Sequence, residues 1–342
     1  MKIKEKENWL KLYDIAEKIG KEKPWEKLWD TDLFAYTEDE NPENALYYCT
    51  MGKGGMHKAV AVYQGRQIEG YLQTLEDAVD GPMAINYLEC IKVCYLPKRE
   101  TIDENIKIIK ELGLDFKKDW ISFEKYERGY EYSTLNENDV LFMTKALTDY
   151  YEMYQKYSDG SLKPNFPESL VIRRDYNTKN MTIKDYIGIA PLPTKGKYET
   201  IEIDKKLGMD LISSESLPID LELEMLNYLP VRIESNKGKD GRYRYPLLFI
   251  IADRKSQYIF EMYMGSDKTK KEYEKYIYEC MDKLTDFILN QGRPRKIYVR
   301  DERTKIALTD LANKAGIDLV VKSNLPAIDF IISTFLNGGF EE

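Results

Sequence analysis

The sequence predicts an α/β protein of two domains, and three observations support this prediction. The chain has 342 residues, and a domain averages roughly 150 residues. Segments with the three- and four-residue spacing of amphipathic helices alternate with short apolar runs typical of strands. The segment Ser158–Pro167 has the Gly, Ser and Pro content of a linker. We therefore predict an N-terminal α+β domain over 1–157, a linker with short strands over 158–200 and a C-terminal domain over 201–342.

The N-terminal domain is predicted to have the element order α-β-β-α-β-α. Its clearest feature is a strand pair, Ala45–Met51 and Lys58–Gln64, joined by a loop that begins Gly52-Lys-Gly-Gly55. The glycines allow the positive φ angles of a hairpin turn. A glycine loop binds phosphate when a helix follows it, and here a strand follows. The remaining elements of this order are a strand at Cys90–Cys94 and helices over Trp9–Ile19, Arg66–Val79 and Thr101–Leu112, and a further long helix is predicted over Thr134–Tyr157.

Charge and hydropathy narrow the class of protein. The formal net charge is −8 and the sequence pI is about 5.2, so the overall field of this acidic chain does not attract nucleic acid. No apolar run approaches the roughly 20 residues that span a bilayer, and the polar start Met1–Asn8 lacks the apolar core of a secretory signal. We expect a cytoplasmic protein with no membrane partner.

Histidine and cysteine usage excludes several kinds of catalytic site. The chain has one histidine, His57, which excludes histidine-rich zinc sites. His57 follows the glycine loop, where a solvated side chain is expected. The four cysteines form no CxxC pair. Cys90 and Cys94 are expected to be buried thiols on one face of a strand rather than a metal or redox pair.

The C-terminal domain is predicted to have the order β-β-β-α-β-α-β-α with a mixed five-stranded sheet. Pro246–Asp253 is apolar at nearly every position, as in a central strand that is covered on both faces. The other predicted strands are Leu229–Glu234, Gln257–Met264, Lys296–Arg300 and Ile317–Val321, and the helices are Thr269–Asn290, Glu302–Ala315 and Pro326–Leu336.

This domain resembles the ribonuclease H-like fold of integrase and transposase cores. The resemblance lies in Pro246–Phe260 and in Gly292–Arg303, where a proline precedes a short strand that ends in an aspartate. It implies a two-metal nuclease site for Mg²⁺ or Mn²⁺. By position the catalytic acids would be Glu234, Asp301 and Asp329, with Asp301 and Glu234 as metal ligands. Glu234 stands where the family usually has Asp, which favours a degenerate site.

The whole chain also resembles an uncharacterised bacterial two-domain family. The segments that carry this second resemblance are Met51–Tyr63, Lys125–Tyr130 and Ser323–Asp329. It implies no established activity.

Three hypotheses about function follow. The first is a cytosolic interaction or binding protein with a catalytically degenerate ribonuclease H-like domain and no cofactor, whose partner is an unidentified protein or small molecule. The second is a divalent-metal-dependent nuclease or phosphoryl-transfer enzyme. The third is a small-molecule binder in the groove between the domains, near Trp120, Tyr126 and Tyr130, although such aromatic residues more often seal a domain. Nucleic acid is disfavoured as a partner by the net charge.

Overall fold

The computed structural model describes residues 5–76, 81–193, 198–238 and 241–336. Within these ranges it contains eight α-helices and two mixed sheets, which confirms the α/β class. None of the helices in the described ranges is long and apolar enough to cross a membrane. The chain divides into two compact units, the first made of Met1–Leu72, Leu88–Arg128 and Tyr132–Lys195 and the second of Gln73–Tyr87, Gly129–Glu131 and Gly196–Glu342.

The first sheet has seven strands in the order β5-β4-β3-β2-β1-β6-β7. Neighbouring strands are antiparallel except β1 and β6, which are parallel. The elements are α1 Lys6–Glu22, β1 Phe34–Glu38, β2 Leu46–Met51, β3 Ala59–Gln64, α2 Gln67–Glu76, β4 Cys90–Leu96, α3 Asp103–Leu112, β5 Trp120–Tyr126, α4 Glu137–Ser158, β6 Leu170–Asn177 and β7 Thr182–Ile189.

Alternating strand residues give this sheet two different packed faces. One face packs with α1, α3 and α4, and Phe34 and Tyr48 contribute to that core. The opposite face packs with α2 through Tyr47 and Tyr63. Because side chains alternate along a strand, the run Leu46–Met51 supplies both cores and is almost wholly buried.

The sequence predictions for this unit are partly confirmed. Ala59–Gln64 pairs antiparallel with the preceding strand, as the glycine hairpin predicts. All four cysteines are free and buried, and burial raises the pKa of the Cys90 thiol to about 12. His57 lies exposed in the loop with φ +50°. The helix predicted to end at Val79 is α2, and its predicted end lies outside the described residues.

Two segments differ from the sequence prediction. Trp120 lies outside the elements predicted from the sequence, but Trp120–Tyr126 is the edge strand β5. The range 158–200, predicted as a linker with short strands, contributes two eight-residue strands, β6 and β7, to the first sheet. The parallel pairing of β6 with β1 connects positions 138 residues apart along the chain, such as Phe34 and Ile172, and local composition carries no signal of such pairing.

The second sheet has five strands in the order β10-β9-β8-β11-β12. The first three strands in the chain are antiparallel, and β11 and β12 run parallel to β8. The elements are α5 Lys205–Ser213, β8 Ser216–Tyr228, β9 Leu247–Asp253, β10 Ile259–Gly265, α6 Lys270–Gln291, β11 Arg293–Val299, α7 Glu302–Ala315, β12 Asp318–Val321 and α8 Pro326–Leu336.

The centre of this sheet differs from the predicted one at its first strand. Leu229–Glu234 was predicted as that strand, but the chain leaves the sheet after Tyr228 and the first strand is β8, thirteen residues long. Leu221 and Leu223 of β8 pack with α6 and α7, whereas α8 packs on the opposite face of the sheet.

Candidate functional site

Two glutamates lie buried on the central strand of the second sheet. Glu222 and Glu224 of β8 are both fully buried, and as residues i and i+2 they project from the same face. Their neighbours Leu221, Leu223 and Met225 project from the other face into the core. A carboxylate can be buried at tolerable cost only when it is paired and hydrogen-bonded, so the partners of these two glutamates define the site.

Arg300 is the partner of Glu224. It directly follows β11, which runs parallel to β8 and pairs Val299 with Leu223, so Arg300 lies beside Glu224. Its Nε donates to Glu224 Oε2 at 2.6 Å and its Nη2 donates to Asp329 Oδ1 at 2.6 Å. The guanidinium, 4% exposed, therefore lies between two carboxylates that would otherwise repel each other.

The charges of this pair depend on each other. Burial raises the pKa of Glu224, and the Arg300 cation opposes that rise. Burial also disfavours the charged guanidinium, but the carboxylates of Glu224 and Asp329 outweigh it and raise the pKa of Arg300. The guanidinium stays charged at any physiological pH, so the position between these carboxylates is held by a permanent cation.

Glu222 connects the sheet to the start of α8. Its Oε2 accepts hydrogen bonds from the backbone N–H groups of Ala327 and Ile328 at 2.8 and 3.2 Å. Its Oε1 accepts from Arg254 Nη1 at 2.7 Å. Free N–H groups at a helix start need an acceptor, and a carboxylate there also interacts favourably with the helix dipole. Glu222 thus caps α8 from a neighbouring strand.

Asp301 has a structural role at the start of α7. It is 2% exposed and forms the N-cap of α7, where its Oδ1 accepts from the Thr304 N–H at 2.7 Å. Asn227 Nδ2 donates both to Asp301 Oδ2 at 3.2 Å and to Glu224 Oε1 at 2.8 Å. Arg303 donates to Asn227 Oδ1 at 2.9 Å. Both oxygens of Asp301 are therefore engaged by protein groups.

The contacts around Arg300 join into one cluster, which we call the acid–arginine network. Its members are Glu224, Asn227, Arg300, Asp301, Arg303 and Asp329. Glu222 and Arg254 form a separate ion pair. Within the described ranges no group of three or more His, Cys, Asp or Glu side chains could hold a metal ion. The arginines, rather than free space, separate the acids.

The structure brings together two of the three predicted catalytic acids. Asp301 and Asp329 both belong to the acid–arginine network, linked through Arg300 and Glu224. Glu234 is not a member: it lies in the exposed single-turn helix Glu234–Asn236, where its Oε1 accepts a hydrogen bond from Tyr243 at 2.5 Å. Its predicted place on the first strand is wrong because that strand ends at Tyr228.

The sequence reasoning missed Glu222, Glu224 and Arg300. A signal was present, because Leu221, Leu223 and Met225 alternate with acids over Asp220–Glu224, which is the period of a strand.

The three aromatic residues predicted to bind a ligand do not lie in one described pocket. Trp120 and Tyr126 stand at opposite ends of β5, about 20 Å apart at 3.3 Å per residue. Trp120 packs edge-on against Phe116, and Tyr126 stacks on the ring of Tyr132 with centroids 5.6 Å apart. Tyr130 belongs to the second unit. Each of the two rings on β5 already has a protein neighbour.

The first unit has an open groove of about 650 Å³ between α1 and α4. Apolar side chains, including Leu10 and Tyr151, alternate along it with charged ones, among them the ion pair of Asp14 and Lys18 at 2.7 Å. Its charged side chains include no convergent set that specifies a ligand.

Fold and site define a protein of two α/β units, of which the second carries a buried acid–arginine network. Residues 9–174 match a family model described as "Domain of unknown function (DUF7309)", and residues 214–336 match a second one, "Domain of unknown function (DUF6930)". Each match covers less than half of the chain, and together they fit an uncharacterised two-domain family. No curated protein and no solved structure matches the chain.

Proposed function

We propose that the chain is an interaction or binding protein whose second unit is a catalytically inactive form of the ribonuclease H-like fold. The strand order β10-β9-β8-β11-β12 and the chain order β-β-β-α-β-α-β-α support the fold part of this proposal. In that arrangement β8 and β11 are the adjacent parallel strands that would carry the catalytic acids. Asp301 follows the end of β11, and Glu224 of β8 is linked to it through Asn227.

The inactive state rests on one observation, the position of Arg300. Two-metal chemistry needs carboxylates converging on cations about 3.5–4 Å apart, which neutralise the phosphate and activate water. Here a guanidinium donates at 2.6 Å to both Glu224 and Asp329. Because Arg300 already supplies the positive charge and occupies the acceptor oxygens, a divalent cation would have to displace a buried ion pair. We therefore infer that the site binds no Mg²⁺ or Mn²⁺.

Charge and thiol chemistry support the remaining parts of the proposal. The net charge of −8 supports a protein or small-molecule partner rather than nucleic acid. The four free, buried thiols support a reducing compartment, as the cytoplasm is.

Calorimetry and a nuclease assay test this proposal together. We expect no heat of Mn²⁺ binding at millimolar metal and no cleavage of single- or double-stranded RNA or DNA. Asp301→Asn is the matched variant, and it should behave as the wild type in both measurements. Mn²⁺-dependent cleavage that disappears in Asp301→Asn would overturn the proposal in favour of the nuclease hypothesis.

A further inference from the structure

The last strand of the first sheet, β7, presents an uncovered edge. Among the described residues it pairs only with β6, through an unbroken antiparallel register over Leu170–Asn177 and Thr182–Ile189. In such a ladder alternate residues point their N–H and C=O groups away from the neighbour. About four residues of β7 therefore offer unpaired backbone donors and acceptors, which is a template for another strand.

The side chains of β7 make this edge apolar on one face. Asp185 projects toward α4, where Lys156 donates to it at 2.6 Å. By alternation Ile183, Ile187 and Ile189 share that face, and they are 56, 37 and 72% exposed. Edge strands are usually protected by bulges, proline, short length or inward-pointing charge. β7 has eight residues and no bulge against β6. Its inward-pointing charge, Asp185, is already paired with Lys156 and Arg174, so it offers little protection of the edge against pairing.

We propose that β7 pairs antiparallel with β7 of a second copy of the chain, about a two-fold axis at Tyr186. A two-fold axis perpendicular to the sheet places the same face of both copies on the same side. Residues that lie opposite each other must therefore be both even-numbered or both odd-numbered. When Tyr186 lies opposite Tyr186 of the other copy, Ile183 of each copy lies opposite Ile189 of the other, which gives two such isoleucine pairs. Lys184 then lies opposite Gly188, which leaves room for its long side chain.

The neighbouring registers are less favourable. An axis at Asp185 places two carboxylates directly opposite, and like charges in that position are destabilising. An axis at Ile187 pairs only five residues of β7 with each other, against seven for the axis at Tyr186.

The partner is inferred to be a second copy because the strip is complementary to itself. Ile183, Ile187 and Ile189 are all apolar and exposed, so two copies bury the same surface in each other. The pairing extends over seven residues of β7, 183–189, and adds backbone hydrogen bonds to that burial. This inference goes beyond the proposed function and does not depend on the acid–arginine network.

Light scattering after gel filtration tests the dimer. At about 50 µM, where a complex with a micromolar Kd is largely formed, we expect the full chain to have twice its 40.1 kDa mass. The double variant Ile183→Lys/Ile189→Lys sets lysines opposite each other, and we expect a monomer. The control Leu141→Lys, which changes a side chain 52% exposed on α4, should remain a dimer. A monomeric wild type, or a double variant that stays dimeric, would overturn the proposal.

Disulfide trapping tests the register separately. Tyr186→Cys places one thiol opposite its own copy, at the roughly 5 Å Cβ separation of opposed residues, and mild oxidation should yield a covalent dimer. Lys184→Cys is the matched control on the same face. Its two copies would be four positions apart, about 14 Å along the strands, and should not cross-link. Cross-linking of the control but not of Tyr186→Cys would disprove the register.

Discussion

The Nε of Arg300 donates a hydrogen bond of 2.6 Å to the carboxylate of Glu224, and this pair is buried between the central strand and the next parallel strand. An isolated charge of either sign at this depth would be strongly unfavourable, so the charge of each residue offsets the cost of burying the other. The pair joins β8 to the end of β11, at the edge where the ribonuclease H-like fold that we propose would hold its cations. The same contact that stabilises the fold therefore argues against metal chemistry there.

Removing the guanidinium should destabilise the second unit strongly. We expect Arg300→Met to lower the free energy of unfolding by about 3–5 kcal/mol, because it leaves the buried Glu224 without its cation. Urea unfolding followed by circular dichroism measures this. The control Arg295→Met removes an exposed arginine that pairs with Asp220 and should cost less than about 1 kcal/mol.

The double variant Arg300→Met/Glu224→Met distinguishes a lost ion pair from lost packing. Replacing both members of a buried pair by apolar residues is often nearly neutral, so the double variant should be more stable than Arg300→Met alone. Additive losses would show that the pairing of these charges is not what matters.

Glu222 is expected to control the order of the first turn of α8. Glu222→Ala removes the acceptor of the Ala327 and Ile328 N–H groups, so hydrogen exchange should accelerate in Pro326–Leu336. Glu222→Gln keeps one acceptor oxygen and should give a smaller acceleration. Glu302→Ala, which removes an exposed first-turn acid of α7, is the control and should leave α8 unchanged. Equal protection of α8 in Glu222→Ala and the wild type would contradict the capping role.

Most strands of the second sheet could be predicted from the sequence, but the central strand β8 could not. Pro246–Asp253 was assigned correctly to within a residue because a strand covered on both faces is apolar at every position. β8 was missed because it alternates leucine with glutamate, which resembles a strand with one solvated face or a polar loop. The arginines that make those glutamates buried come from elsewhere in the chain, and Arg300 lies 76 positions from Glu224.

The same limitation applies to the candidate site and to the first sheet. Asp301 was named because the resemblance to the ribonuclease H-like family places an acid after a short strand, and that strand is visible as a local pattern. Its partner Asn227 lies 74 positions away and has no local signal. β7 was missed because its isoleucines are interrupted by Lys184, Asp185 and Gly188, and because Asp185 looks solvated until Arg174 is placed beside it.

The pairing of Asp185 with Arg174 should make stability depend on pH. Burial opposes ionisation of Asp185, but hydrogen bonds from Arg174 and Lys156 outweigh it and lower its pKa from 3.8. The unfolded chain then binds more protons than the folded one below about pH 4, so stability falls as the pH falls through that range. We expect Asp185→Asn to cost about 1.5–3 kcal/mol at neutral pH and the gap from wild type to narrow as the pH drops below 4.

Urea titrations from neutral pH down to about pH 3 measure this narrowing. Asp318→Asn is the control, since the Asp318 side chain is 70% exposed and its ion pair with Lys296 is long, at 3.7 Å. It should track the wild type throughout. A gap for Asp185→Asn that stays constant with pH would mean that the loss comes from packing and not from charge.

The last residue of β10, Gly265, should tolerate no side chain. A Cβ at this position would lie 2.0 Å from Cδ2 of Tyr276, a buried ring on α6 whose hydroxyl donates to the Met225 carbonyl at 2.6 Å. The ring cannot move away without breaking that hydrogen bond, so Gly265→Ala should destabilise the protein by about 1–3 kcal/mol, as overpacked cores do. Gly54→Ala, where a Cβ would meet no atom within 4 Å, should leave the unfolding midpoint unchanged. Adding Tyr276→Leu should make Gly265→Ala less costly, and equal costs in both backgrounds would refute this steric explanation.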